Sequence, residues 1–489
     1  MRRPRPAIAL ALVAALLAQA PLMRPSSARA ARSPSTERDL GRRFFLEARA
    51  QIPLITDPAV TTYVNGLGKH LVESLGAQEF DYQFFVIAHP SLNAFAVPGG
   101  YVFFFSGLIA RASSDDEIVG VMGHEIAHVH AHHIVRQQTS GMVWSAAALL
   151  GVLLSVVNPV LGAGAIAAAQ VAQLKYSREF EQEADYIGLR IATQSGYDPH
   201  SLGSFFKQLL VEQRVNPAGV PPYMLSHPVT EERVAHVESI IDAQKLRTPH
   251  GRPAASPELA EVQAVVRAAT EPPDVIVAEY KRKADANPND AEAQFLLGRV
   301  YQGVGQYDAA RVALERARDL GVGPRVDRPL GSVYVTLKST QAAEAALRRR
   351  LTTQPSDAFA HLELGKALAD AKDDAGALKE FQRAIAIEPD LEEAQRLAGL
   401  AYGRKGEEAR GFYHLAVSAR LRGDLGQALS HFEKCDELEP DGTPRKKELA
   451  DAIDELEPIV RERMIEQRER RRGVAQNNGY GGFGESRQR

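Results

Sequence analysis

The residues with the clearest chemical potential are His124-Glu125-Ile126-Ala127-His128. On an α-helix, positions i and i+4 share one face, so both imidazoles can reach a single ion. Glu125 then lies beside the ion's open position, able to take a proton from bound water, which is the chemistry of metal-assisted hydrolysis. Zinc in such a site needs a third protein ligand. A third histidine on the same stretch would require Gly at position 131 and His at position 134, where the chain has Ala131 and Ile134. His130, His132 and His133 crowd the following turn, and three successive ligands on one straight helix cannot surround a tetrahedral ion. They are read as solvated or supporting residues. Cys435 is the single cysteine, so a cysteine-based cluster and an intrachain disulfide are both excluded.

The better source of a third ligand is the stretch Tyr176 to Asp185. Glu181 and Asp185 are i and i+4, so one helical face presents two carboxylates. One can ligate the metal while the other holds a ligand imidazole by its free N–H. Glu179 and Glu183 form a competing pair on roughly the opposite face, and spacing alone does not choose between them.

These groups need elements to position them. Ser113 or Ser114, followed by Asp115, Asp116 and Glu117, predicts the start of a helix that carries His124 and His128. Before it, Tyr82 to Ala88 and Ala94 to Phe105 read as strands, the second turning at Pro98-Gly99-Gly100. Residues 137–174 carry no charge and are rich in Ala, Leu and Val. Because His128 precedes this stretch and Glu181 follows it, a single membrane crossing would part the ligands. Two apolar helices meeting at Asn158-Pro159 keep them together, and each arm is short of the roughly 20 residues a span needs. The stretch is expected to form an apolar hairpin over the active site, able to touch lipid peripherally or an unfolded client. Residues 31–244 then form one catalytic domain, closed by a linker at 245–257.

Residues 258–460 repeat. Leu297-Gly298, Leu330-Gly331 and Leu364-Gly365 place glycines 33 and 34 residues apart, with Ala310, Ala343 and Ala377 following, which is the tetratricopeptide period. Leu314, Leu347 and Phe381 are large residues suited to fill the groove beside each glycine. A further copy is read through Leu415-Ala416, Ala428, Phe432 and Pro440, half a repeat out of phase, which makes 391–408 an extra helix. Such arrays bind segments of other proteins. Residues 461–489 carry eight Arg against four Glu and are expected to extend the last helix and end in a disordered tail.

The downstream motif Glu181-x-x-Ala184-Asp185, together with the paired histidines, resembles zinc metallopeptidase family forty-eight. The resemblance selects Glu181 as third metal ligand beside His124 and His128, with Asp185 holding a ligand imidazole and zinc as the cofactor. Asn93-Ala94-Phe95, before Pro98-Gly99-Gly100, resembles the family's strand beside the active site, where a substrate is held as an added β-strand. Ser226-His227-Pro228 with Arg233 resembles a further signature. It implies His227 as a cap on the metal and Arg233 as an oxyanion stabiliser, although His227 also fits a plain loop histidine near a turn proline. The repeats match the periplasmic, β-barrel-assembly branch of the family. That branch implies misfolded or stalled outer-membrane precursors as clients and their assembly machinery as a partner.

The chain of 489 residues is 45% hydrophobic and 24% charged, with net charge −3. That balance excludes wholesale disorder and argues against nucleic acid as a partner. Arg2, Arg3 and Arg5, the apolar run Ala7 to Leu22 and Ala28-Arg29-Ala30 read as a signal peptide over residues 1–30, hence export to the periplasm, with membrane association through 137–174. The expected fold is α+β and mainly helical: a zincin-type domain with a small β-sheet, followed by an all-α repeat solenoid. The expected function is an exported zinc metalloendopeptidase in protein quality control. The rival is a repeat chaperone or scaffold with a silent or latent peptidase.

Overall fold

The computed structural model describes residues 34–137, 145–157, 176–215, 220–247 and 256–479. The fold is α+β and mainly helical. Helices α1 (Pro34–Ala48) and α2 (Pro58–Glu73) lead into strands β1 (Gln83–Ile87), β2 (Ala94–Val97) and β3 (Tyr101–Phe105), followed by the short helix α3 (Ser106–Arg111). The strands lie in the order β1-β3-β2, with β1 parallel and β2 antiparallel to β3. The β2–β3 turn runs through Gly99 and Gly100, whose φ angles of 85° and 99° suit glycine alone. Among the described residues, no strand pairs with the outer side of β2.

Central β3 is the near-continuous apolar run Tyr-Val-Phe-Phe-Phe, as a strand covered on both faces must be. Val102 and Phe104 enter the main core, with Ala94 and Ala96 of β2 and Ile126 and Val129 of α4 (Asp115–His130). Phe103 and Phe105 point the other way, onto Phe44 and Phe45 of α1 and Leu149, Leu150 and Leu153 of α6 (Ala146–Val157). The second face is an aromatic stack, with Phe95 and Phe103 parallel at 5.0 Å and Phe45 against Phe85 at 4.6 Å.

Helix α6 lies within the uncharged stretch 137–174. It belongs to the supposed hairpin over the active site, yet it packs on the sheet face opposite the histidine helix α4. The turn at Asn158-Pro159 and the second arm lie outside the described residues. Between α1, α6 and the last repeat lies a cavity of about 1260 Å³, lined by Leu40, Leu150, Leu154, Phe432 and Ile459 among others. None of the described helices is long and apolar enough to cross a membrane. The signal-peptide stretch lies outside the described residues.

After α4 come α5 (His133–Gln137), α6, α7 (Arg178–Gln194), α8 (His200–Val215), α9 (Pro222–Ser226) and α10 (Glu231–Gln244). The repeats begin with α11 (Pro257–Ala268) and α12 (Pro273–Ala286). Pairs follow at 291–303 with 307–319, 327–336 with 340–353, 358–370 with 374–387, and 392–404 with 408–421. The last of these pairs corrects the half-repeat offset read from sequence. Gly399 sits 34 residues after Gly365, in phase, and Leu415 is the large residue that fills its groove. A Cβ on Gly298, Gly331, Gly365 or Gly399 would come within 2.5–2.9 Å of Leu314, Leu347, Phe381 or Leu415 respectively. The final helix runs from Pro444 to Gly479, so residues 461–479 are helical, and 480–489 lie outside the described residues.

The supposed boundary at 245–257 is not a clean one. One face of α11, through Leu259, Val262, Val265 and Val266, lies inside the core of the first domain, while Ala264 joins the first repeats. Arg299, from the repeats, is buried between Asp57, the N-cap of α2, at 2.8 Å and Glu261 of α11 at 2.9 Å. The far end of the array also returns to the first domain. Leu46 of α1 enters the terminal repeat core, Arg42 pairs with Glu455, and Gly423 abuts Ala50. Two separate contacts thus fix an orientation that no disulfide could hold.

Candidate metal centre

Ser114 caps α4 by accepting from the Glu117 amide, and three acids fill its first turn beside the unsatisfied N–H groups. Ser177 caps α7 in the same way, and Thr230 caps α10. Helices α4 and α7, which carry the candidate donors, cross at Gly123 and Gly188. A Cβ on Gly188 would stand 2.8 Å from the His124 amide nitrogen, and one on Gly123 would stand 2.9 Å from the Gly188 carbonyl oxygen. Only glycine permits backbones this close, and the closeness lets side chains from both helices meet.

Four donors meet there. His124, His128, Glu181 and His227 each offer one ligand atom, all within 4.8 Å of one another, and all four residues are buried. His124 Nε2 lies 3.0 Å from His128 Nε2 and 3.3 Å from His227 Nδ1. Glu181 approaches His227 Nδ1 at 3.0 Å, His128 Nε2 at 3.5 Å and His124 Nε2 at 3.6 Å. A tetrahedron with metal–ligand bonds of about 2.0–2.1 Å has edges of roughly 3.3 Å, so the donor set fits zinc in both spacing and chemistry. His227 supplies the fourth donor of the set.

Glu125 is buried beside this set. Its Oε1 makes no hydrogen bond and lies 3.6 Å from His227 Nε2. Burial raises its pKa, opposed by His227 and His124. Burial also favours protonated Glu181, but His227 and Arg233 outweigh it and hold that carboxyl well below the usual range. Asp185 accepts from Arg233 Nε at 2.8 Å and Nη2 at 2.7 Å, and its Oδ1 lies 2.9 Å from His124 Nδ1. Although burial works against it, the charge of Arg233 brings Asp185 down to about 2. Arg233 also pairs with Glu181, donates to the Pro228 carbonyl and lies over the Phe206 ring at 4.4 Å. Its Nη2 is 3.4 Å from His124 Nε2.

The competing acids lie elsewhere. Glu179 is exposed, and Glu183 accepts from Arg136 at 2.9 Å and meets His133 at 3.2 Å. Of the crowded histidines, His130 is exposed and His132 half-buried, but His133 is fully buried and its Nδ1 lies 2.9 Å from His128 Nδ1. Burial, despite Glu183, holds His133 down at about 4. Two tyrosines also escape a motif search. Tyr176 lies against His128 at 4.0 Å and Tyr223 stacks on His227 at 4.7 Å.

Asn93 and Ala94 are buried at the start of β2, and Phe95 is half-buried. The Asn93 carbonyl accepts from the Phe105 amide, while its Oδ1 has no hydrogen-bond partner. Leu92 accepts from the Tyr223 amide at 3.4 Å, so α9 and His227 lie alongside the entry to β2.

Comparison with known proteins adds a family to this geometry. Residues 58–241 match peptidase family M48, and residues 291–319 match a tetratricopeptide repeat. The chain is 33% identical to the beta-barrel assembly-enhancing protease of Escherichia coli over 218 residues, 43% of this chain and 45% of that protein. The match to the Yersinia pestis protein of the same name is 26% identical and longer, covering 83% of this chain and 85% of that one. The mitochondrial metalloendopeptidase OMA1 of Schizosaccharomyces pombe is 29% identical over 36% of this chain and 52% of its own.

Proposed function

From a chain that carries a peptidase family M48 domain followed by tetratricopeptide repeats, we propose a zinc metalloendopeptidase of the cell envelope that cleaves misfolded or stalled proteins. The observation that carries this reading is the meeting of His124, His128 and Glu181, from helices parted by some fifty residues of chain, with buried Glu125 beside them. Those three residues would hold the zinc, which when bound acidifies water and polarises a carbonyl. Glu125 takes the proton from the attacking water and passes it to the departing amine. Asp185 fixes His124 through its Nδ1–H and is itself clamped by Arg233. The Nη2 of Arg233 lies close enough to the centre to steady an oxyanion. An extended client segment would pair with the open side of β2 at Asn93, Ala94 and Phe95, held by backbone hydrogen bonds and so tolerant of sequence. Outer-membrane precursors and their assembly machinery are the proposed clients and partner, reached through the repeats, and the leader read at residues 1–30 supports export.

A specific observation favours latency. With His227 at the fourth corner, the metal would have no open position until α9 moves. A repeat scaffold with a resting peptidase is therefore the second reading. Substitution Glu125→Gln separates the two. The enzyme reading expects zinc to be retained and turnover of an unfolded protein to fall about 10²–10⁴-fold. Equal turnover by parent and variant would overturn it. His227→Ala is expected to raise turnover, and no change would remove the latch.

A further inference from the structure

The two paired histidines are held differently. His124 Nδ1 meets the carboxylate of Asp185 directly, at 2.9 Å. Among the described residues, His128 Nδ1 meets no carboxylate but His133 Nδ1 at 2.9 Å, with His133 Nε2 3.2 Å from Glu183. Resting on the metal reading, we propose that His133 and Glu183 are positioning residues. They form a fixed hydrogen-bond chain that sets the tautomer and ring orientation of His128.

The donor count leaves one arrangement. His128 turns Nε2 toward His124 Nε2 and Glu181, so that nitrogen carries the lone pair for a metal and the proton sits on Nδ1. That proton needs an acceptor, and His133 Nδ1 is in place to be it. His133 then carries its own proton on Nε2 and donates it to Glu183. Arg136 pins the far end by donating to the same Glu183 oxygen at 2.9 Å.

The backbone is shaped for this contact. His132 has a φ of 55°, a left-handed conformation that residues other than glycine adopt rarely. It breaks α4 after His130 and restarts the chain as α5, so His133 folds back toward His128 instead of continuing outward. Glu37 holds His132 Nδ1 at 2.8 Å, and Phe80 meets its ring edge-on at 5.7 Å. The His133 ring is clasped against Phe180 of α7, stacked at 4.5 Å. Glu183 is thus tied to the metal centre through two imidazoles, without being a ligand.

The test is zinc affinity of the full chain, measured by competition with a chelator in the parent, His133→Phe, His133→Asn and Glu183→Ala. His133→Phe keeps a flat ring on Phe180 but removes the acceptor, and is expected to weaken zinc binding about 10–100-fold. His133→Asn puts an amide oxygen near the Nδ1 position and is expected to keep parental affinity, a rescue that packing alone would not give. Glu183→Ala is expected to show a smaller loss of several-fold. Parental affinity in His133→Phe overturns the chain. If that variant does not fold, by its melting curve without metal, the half-exposed Glu183→Ala decides, and parental affinity there overturns the proposal equally. A parent that binds no zinc would instead overturn the metal reading, a result distinguishable from failure of the chain alone.

Discussion

The metal-centre domain and the repeat array both use glycine to bring two helices together, but they fill the gap differently. In the repeats, Gly298, Gly331, Gly365 and Gly399 each face a large side chain of the partner helix, whose end can shift. At the centre, Gly123 faces Gly188 and backbone meets backbone. The first solution is modular, because any side chain of suitable size closes the gap. The second admits no adjustment, and it places the imidazoles of one helix within bonding range of the carboxylates of the other. A scaffold can tolerate drift, whereas ligand geometry fixed to tenths of an ångström cannot.

The join between the two regions carries the largest expected effect. Arg299→Met leaves Asp57 and Glu261 facing each other without a cation, and is expected to cost about 3–5 kcal/mol in a denaturant titration. A loss within error of zero would mean that the regions do not depend on each other there. Next comes Gly188→Ala, expected to cost about 1–3 kcal/mol and to strip zinc, since the new methyl meets the His124 backbone. No side-chain change should rescue it. Gly331→Ala is expected to cost about 1 kcal/mol, net of alanine's better helical propensity. Shortening Leu347 to Val in the same chain should recover part of that loss. Equal rescue at both crossings would erase the contrast between them.

The smallest effect is a slope with pH in the repeats. Burial, with Arg445 and Arg410 nearby, holds His414 at about 4, below its ordinary 6.5. A histidine kept neutral in the fold stabilises it above its unfolded pKa. The stability is lost as pH falls from 6.5 toward 4, because the unfolded chain takes up the proton first. A loss of order 1 kcal/mol between pH 7 and pH 5 is expected, and His414→Gln should flatten it.

What could be read in advance depended on how local each signal is. The pair His124 and His128 is visible because one helical turn joins its members, and the Ser114 and Ser177 caps are visible for the same reason. Glu181 with Asp185 could not be told from Glu179 with Glu183 by spacing, since both are i, i+4 pairs of acids, and only the resemblance chose. The crossing at Gly123 and Gly188 and the contact of His133 with Glu183 join positions about fifty or more apart, with no periodic mark to betray them. In the array, Ala398 stands where the earlier copies have Leu297, Leu330 and Leu364, which hid the in-phase glycine at 399 and shifted the reading by half a repeat. The apolar residues of α6 announced burial but not which side of the sheet would bury them.

Helix α11 bears on how this molecule comes into being during synthesis. Leu259, Val262, Val265 and Val266 complete the interior of a domain whose other parts end near residue 244. A nascent polypeptide released only as far as Lys245 would present an open seam where those four side chains belong. The first half must therefore wait, unfinished, until the ribosome has delivered the first turns of the half that follows it.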